Sequence, residues 1–178
     1  MSFFPSLPED TGLKQIQEPY ADIWQHWARF SQALMRGPGP LTVAERELVA
    51  AYTSGLNRCS YCYHDHMMAT AEFGTSPEVF EGLLDDIDGA AVDDKMKPIL
   101  KFARKLTLEP TELTQGDADE VFAAGWDEAA LHFTVAICGR FNLINRLVMG
   151  HGVEHSDALT AVWRDDQKLS YAILHEAD

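Results

Sequence analysis

Residues 41–66, LTVAERELVAAYTSGLNRCSYCYHDH, carry the clearest fold signal in the chain and the clearest chemical one. Thr42 is followed three residues later by Glu45, which is a capping box, so a helix is expected to start near Val43. That helix loosens at Ser54–Asn57, and the cysteine- and histidine-rich stretch opens the next one. The second helix is expected to run to Phe73 and stop at Gly74. Two helices joined by a few residues then set the pattern for the remaining sequence.

Upstream, YADIWQHWARFSQALM places Ile23, Trp27, Phe30 and Leu34 at spacings of three and four, one apolar stripe of a helix. The RGPGP run at 36–40 breaks it. Downstream, TSPEVFEGLLDDI is expected to restart a helix, with Ser76 as cap and Pro77 in its first turn. VDDKMKPILKFARKLTL is a further helix, with Pro98 early enough to be tolerated or to kink it. ELTQGDADEVFAAG has Thr114 as cap and Gly125 as stop. WDEAALHFTVAICGRFNLINRLVMG is the longest candidate, from Asp127 to Gly150. The tail VWRDDQKLSYAILHEAD reads as a helix or an ordered extension. No alternating strand pattern, low-complexity linker or internal repeat interrupts this series. The expected fold is all-α, a single-domain helical bundle over residues 1–178 with roughly six to eight helices.

Composition narrows the function. A net charge of −14 argues against nucleic acid and against anionic membrane surfaces, both of which need a basic footprint. The most apolar long window, residues 129–150, is interrupted by His132, Arg140, Asn142, Asn145 and Arg146, a polar content that a bilayer span tolerates badly. Three cysteines, Cys59, Cys62 and Cys138, are too few and odd in number for a secreted disulfide framework. The start, MSFFPSLPEDTG, lacks a basic leader and a long apolar core, so a cytoplasmic protein is expected. No phosphate loop or dinucleotide fingerprint is present, so no nucleotide cofactor is implied.

Cys59 and Cys62 are three residues apart and His66 is four beyond Cys62, so on a helix all three share a face while His64 points elsewhere. The positive end of the helix dipole lies near both sulfurs, where a thiolate is stabilised. Two thiols of which one is acidic meet the requirement for reversible dithiol chemistry, and His66 adds a proton carrier. Haem attachment needs His directly after the second Cys, and Tyr63 stands there. Zinc held by Cys59, Cys62 and His66 remains open, although no second Cys or His pair supplies further ligands. Two buried cysteines without a role also remain open.

The stretch ERELVAAYTSGLNRCSYCYHDH resembles the core of the alkylhydroperoxidase D-like proteins, within the carboxymuconolactone decarboxylase superfamily. A Glu twelve residues before Cys-x-x-Cys, then His four after it, correspond to Glu47, Cys59, Cys62 and His66. FNLINRLVMGHGVE looks like the late Asn/Arg motif of the family. The resemblance covers roughly residues 20–155, with N- and C-terminal helical extensions, and is closest to the peroxidase-related branch. It implies an all-helical fold, homo-oligomeric assembly and peroxide reduction through the dithiol. Cys62 would be the thiol attacked by peroxide, Cys59 the resolving thiol, His66 the base and Glu47 its partner. A dithiol reductant such as a lipoyl carrier would supply electrons, and a peroxiredoxin could receive them. Two alternatives have different chemistry: a decarboxylase-type lyase using His66 and Glu47 alone, and the zinc-binding module.

Neighbouring residues have plainer expectations. Glu45 is an exposed capping residue. Glu47 by pattern alone is a solvated surface carboxylate, and only the family spacing makes it a relay member. Tyr61 and Tyr63 read as wall and core, His64 as surface, and His132 as a core or interface histidine. His151 and His155 follow the long helix and read as structural. Cys138 reads as core, and Trp24, Trp27, Phe30, Phe133 and Phe141 as core or subunit contact.

Overall fold

The structure is a computed structural model that describes residues 2–156 and Tyr171. Seven α-helices are present among the described residues: α1 (Leu13–Gln17), α2 (Ala21–Arg36), α3 (Val43–Leu56), α4 (Ser60–Glu72), α5 (Met96–Leu108), α6 (Gln115–Ala123) and α7 (Glu128–Gly150). No strand occurs among them, so the all-α expectation holds. The expected tail helix lies outside the described residues except for Tyr171.

The caps fall where residue chemistry puts them. Thr42 Oγ1 accepts from the Glu45 amide, and Glu45 Oε2 accepts from the Thr42 amide at 2.6 Å. Asp127 accepts from the Ala130 amide to start α7. Pro98 sits in the first turn of α5, where a missing N–H costs nothing. The RGPGP break is closed from the next helix. Arg46 donates to the carbonyls of Leu34, Gly37 and Leu41 at 2.7–3.0 Å, satisfying the end of α2.

Helix α3 is the centre. Its residues 46–54 are all buried, and it packs against α4, α5 and α7. Gly55 allows the close approach at its end, since a Cβ there would meet Leu84 at 2.8 Å and Tyr63 at 3.0 Å. Around α3 lie Met35, Leu41, Leu83, Ile99, Leu100, Ile137 and Phe141, all essentially inaccessible. Each large apolar side chain buried in this way contributes roughly 2 kcal/mol.

Three local expectations are corrected. TSPEVFEGLLDDI does not form an α-helix: a single 3-10 turn, Pro77–Phe80, is followed by turns, because Gly82 adopts φ 68° and the Gly82 carbonyl receives the Asp85 and Asp86 amides. The stripe on α2 is only half used. Leu34 is buried, but Ile23 is 64 % exposed and Phe30 45 %, and the face turned inward carries Ala28, Ser31 and Met35 instead. His132 is exposed and not a core histidine, because α7 turns Ala130, Thr134, Ile137 and Cys138 to the core; only the interface half of its expectation stands.

No helix among the described residues is long and apolar enough to cross a membrane.

Candidate active site

The α3–α4 turn delivers the cysteines. The Arg58 amide bonds the Gly55 carbonyl and the Cys59 amide the Ser54 carbonyl, while Arg58 takes φ 58°, the left-handed conformation such a reversal needs. Asn57 pins the turn to α7, donating from Nδ2 to Asn145 Oδ1 at 2.9 Å and Asn142 Oδ1 at 3.1 Å. The result makes Cys59 the N-cap of α4 and places Cys62 in its first turn.

Both thiols are free and buried, Cys59 1 % exposed and Cys62 4 %. They are not alike. Hydrogen bonding from the Cys62 thiol lowers the Cys59 pKa, against the cost of burial, and the Cys62 amide and Asn145 side chain help. Cys62 is pushed well up, by its hydrogen bond to Cys59, by burial and by the charge Cys59 carries. Cys59 is therefore the more acidic thiol of the pair, the first to give up its proton, and Cys62 holds its proton longer. The sequence expectation of a helix N-terminus favouring a thiolate is met by Cys59 and not by Cys62. Cys138 stands apart, its sulfur 3.5 Å from Thr53 Oγ1 and its pKa pushed up to about 11 by burial, as a core cysteine should be.

One turn along α4, His66 meets Glu47 of α3. Glu47 is fully buried and does not lie on a solvated surface. Taking a carboxylate out of water costs several kcal/mol unless partners replace the hydration. Those partners are present: Arg36 Nη1 donates to Oε1 at 2.5 Å, and His66 Nδ1–H donates to Oε2 at 2.5 Å. Burial opposes the charge, but His66 and Arg36 outweigh it and hold the Glu47 pKa at about 2. His66 is shifted below its usual value, mainly by burial, so it is a neutral imidazole at neutral pH. With Nδ1–H committed to Glu47, its Nε2 is left as the basic nitrogen.

No sequence motif marks the other members of the site. Tyr171 brings its hydroxyl to Glu47 Oε1 at 3.2 Å and to within 3.5 Å of His66 Nδ1, and its amide donates to Gln32 Oε1 at 2.8 Å. Its ring lies against the guanidinium groups of Arg36 and Arg140, at 4.8 and 4.6 Å. Arg140 of α7 is buried, and its Nε donates to Ser31 Oγ at 2.9 Å. Asn145, also buried, donates from Nδ2 to Ser54 Oγ at 3.1 Å. On the far side of the dithiol, Tyr61 accepts from the Leu13 amide at 3.2 Å, and burial pushes Asp65 up to about 7. A signal for Arg140 and Asn145 exists: polar residues inside the most apolar helix must find buried partners. Tyr171 has no such signal.

His64 stacks on His155 with ring centres 4.0 Å apart and does not face Glu47. Among the described residues no group of three or more His, Cys, Asp or Glu side chains is arranged to hold a metal ion.

The model of the carboxymuconolactone decarboxylase family matches residues 21–105, which contain Glu47, Cys59, Cys62 and His66 but neither Arg140 nor Tyr171. The family resemblance read from the sequence is thereby borne out. Two solved structures are similar in fold. One, an uncharacterized peroxidase-related protein from Silicibacter sp. TM1040, is 22% identical, with a TM-score of 0.69 over 86% of this chain and 91% of its own. The other is described as an alkylhydroperoxidase AhpD core, an uncharacterized peroxidase-related protein from Ralstonia eutropha JMP134. It is 20% identical, with a TM-score of 0.72 over 97% of both chains. No curated protein matches the sequence.

Proposed function

We propose that the protein is a thiol-dependent hydroperoxidase, or disulfide reductase, working through the Cys59–Cys62 pair with His66 and Glu47 as proton relay. The observation that carries this is the position of two free, buried thiols at the start of α4, one turn from a histidine held by a buried carboxylate. His66 takes one proton from the pair, directly or through water, leaving the Cys59 thiolate bonded by the Cys62 thiol. Transfer of the Cys62 thiol proton to Cys59 frees the Cys62 sulfur, which attacks the terminal oxygen of the hydroperoxide. An S–O bond forms and the O–O bond breaks. The alkoxide takes the proton held by His66 and leaves as alcohol. Cys59 then condenses with the Cys62 sulfenic acid, releasing water and closing the disulfide. An external dithiol, such as a lipoyl carrier, reopens it, and a peroxiredoxin is a further candidate partner. The proposal also takes 1–178 as one domain, the compartment as the cytoplasm, and the assembly as a homo-oligomer.

The test is thiol oxidation by one equivalent of hydroperoxide in the wild type, Cys59→Ser and Cys62→Ser. The wild type should lose two thiols to one Cys59–Cys62 disulfide, located by mass spectrometry. Cys59→Ser should stop at a Cys62 sulfenic acid. Sulfenic acid only on Cys59, in Cys62→Ser, reverses the order of attack, and unchanged thiols in all three proteins sink the proposal.

A second reading has one observation in its favour: the Glu47–His66 pair is complete without the cysteines. A lyase of the decarboxylase type would lose activity in Glu47→Gln and keep it in both cysteine variants.

A further inference from the structure

Among the described residues Arg140 forms no ion pair. Its Nε is used by Ser31 Oγ at 2.9 Å, while Nη1 is buried and has no hydrogen-bond partner among the described residues. Aromatic rings surround the guanidinium instead: Phe141 at 4.3 Å, Tyr171 at 4.6 Å and Trp27 at 5.4 Å. The carboxylate of the relay is already committed. Glu47 Oε1 takes Arg36 and the Tyr171 hydroxyl, and Oε2 takes His66. Phe141 and Tyr171, the rings that flank the guanidinium, also lie 4.4 and 6.3 Å from the His66 ring, so Arg140 stands beside the relay, and the charges of Glu47 and Cys62 act on it. A residue that is 4 % exposed and keeps an unused N–H donor there is out of keeping with the rule that buried donors are paired.

We infer that Arg140 Nη1 is an oxyanion subsite that receives the inner oxygen of the hydroperoxide, the oxygen that departs when the Cys62 sulfur attacks. This rests on the hydroperoxidase reading. Attack forms the S–O bond, breaks the O–O bond and sends the electron pair to the inner oxygen, which becomes an alkoxide. In water that charge would be solvated. Among side chains as buried as Cys62 and Arg140, both 4 % exposed, it needs a donor already in place, and a fixed guanidinium N–H supplies one without reorganisation. The proton held by His66 then converts the alkoxide to alcohol, and Arg140 is left as it began. Arg140 touches the reacting oxygen in this scheme, whereas Tyr171, whose ring lies against the guanidinium, positions it.

A packing role predicts something different, and two electrophiles separate the cases. Fully reduced wild type, Arg140→Gln and Arg140→Lys are reacted with cumene hydroperoxide and, separately, with iodoacetamide, which is neutral and has no leaving oxygen. Thiol loss is followed by stopped flow at several pH values, and folding by circular dichroism melting. Arg140→Gln should slow oxidation by the hydroperoxide by about 100-fold. Its alkylation should change less than about threefold, because the neutral reagent makes no use of an oxyanion donor. In Arg140→Lys, which keeps the charge and loses the planar fork, the ratio of the two rates should fall about tenfold. That variant carries the test if Arg140→Gln does not fold. Equal slowing with both reagents would make Arg140 a support of the thiolate or of the fold, and slowing with neither would leave it no role; either overturns the inference. Wild type that alkylates normally but is not oxidised by any hydroperoxide would instead remove the hydroperoxidase reading, and the subsite with it.

Discussion

At the scale of single residues, Glu47 decides the most. Its carboxylate is ionised although no water reaches it, because Arg36 and His66 take the place of hydration. A carboxyl whose folded pKa is about 2, against 4.5 for the free group, adds stability that is complete above the free value and is lost as pH falls from about 4.5 toward 2. His66 adds to the same acid sensitivity from higher pH. Its folded pKa lies below the ordinary 6.5, so the stability it gives is complete above that value and declines as pH falls through it. Asp65, raised to about 7 by burial, acts in the opposite direction over the range in which His66 protonates, so melting followed across pH should show its clear loss of stability below about pH 4.5, where Glu47 takes up its proton. In Glu47→Gln that loss should vanish, and stability at pH 7 should drop by about 3 kcal/mol, because Arg36 keeps a charge without its carboxylate. Unchanged acid sensitivity in that variant would mean that Glu47 is not the ionised centre of the cluster. Of this residue the sequence shows only the position: twelve before the first cysteine, with nothing nearby to distinguish it from a surface glutamate. The neighbouring residues look alike on paper, yet Glu45 caps the helix in solvent and Glu47 is inaccessible, since two steps along a helix turn a side chain by more than half a revolution.

At the scale of elements, α3 and α4 form a hairpin whose ends are fixed by local chemistry. The Thr42–Glu45 box starts α3, and the Asn57–Arg58 turn ends it so that Cys59 caps α4. Thr42→Ala removes the side-chain acceptor for the Glu45 amide and should cost about 1 kcal/mol in urea unfolding. The rates of the dithiol should stay as in the wild type, since Glu47 is held by contacts further along the helix. A larger loss, or a change in thiol reactivity, would show that the start of α3 sets the position of the relay. Element starts and stops were legible because caps and glycines act over three or four residues. The missing helix at Ser76–Ile87 was not legible, because its apolar spacing is helical while Gly82 and the aspartates make turns that satisfy the backbone equally well. The face of α2 was also not legible. Its aromatic residues outline a stripe, but the close packing needs small residues, Ala28 and Ser31, against α3 and α7.

At the scale of the whole molecule, the site is assembled from four distant parts of the chain: Arg36 from α2, Glu47 from α3, the dithiol and His66 from α4, and Arg140 with Asn145 from α7. Tyr171 closes on them from further still. Tyr171→Phe removes one hydrogen bond to Glu47 and should lower stability by about 1 kcal/mol with an unchanged circular dichroism spectrum. Tyr171→Ala also removes a ring between two guanidinium groups and should cost about 2 kcal/mol more, read from urea midpoints. Equal stability of wild type, Phe and Ala variants would show that Tyr171 contributes nothing to the cluster in solution. Ile23 and Phe30 on α2 remain exposed, and they are among the apolar side chains that the proposed homo-oligomer has available.

By itself the sequence determined the helical class, most helix boundaries, and the placement of two thiols and a histidine on one face at the start of a helix. Those are consequences of spacing within a few residues, where backbone geometry leaves little freedom. Only the tertiary structure decided that Glu47 is buried, that Cys59 rather than Cys62 is the more acidic thiol, and that Arg36, Arg140, Asn145 and Tyr171 surround the pair. A helix such as α3 that is covered on every side has no wet face, so its periodicity cannot tell a buried carboxylate from a solvated one. The convergence of groups separated by tens of residues depends on how neighbouring helices pack, and no local spacing records that.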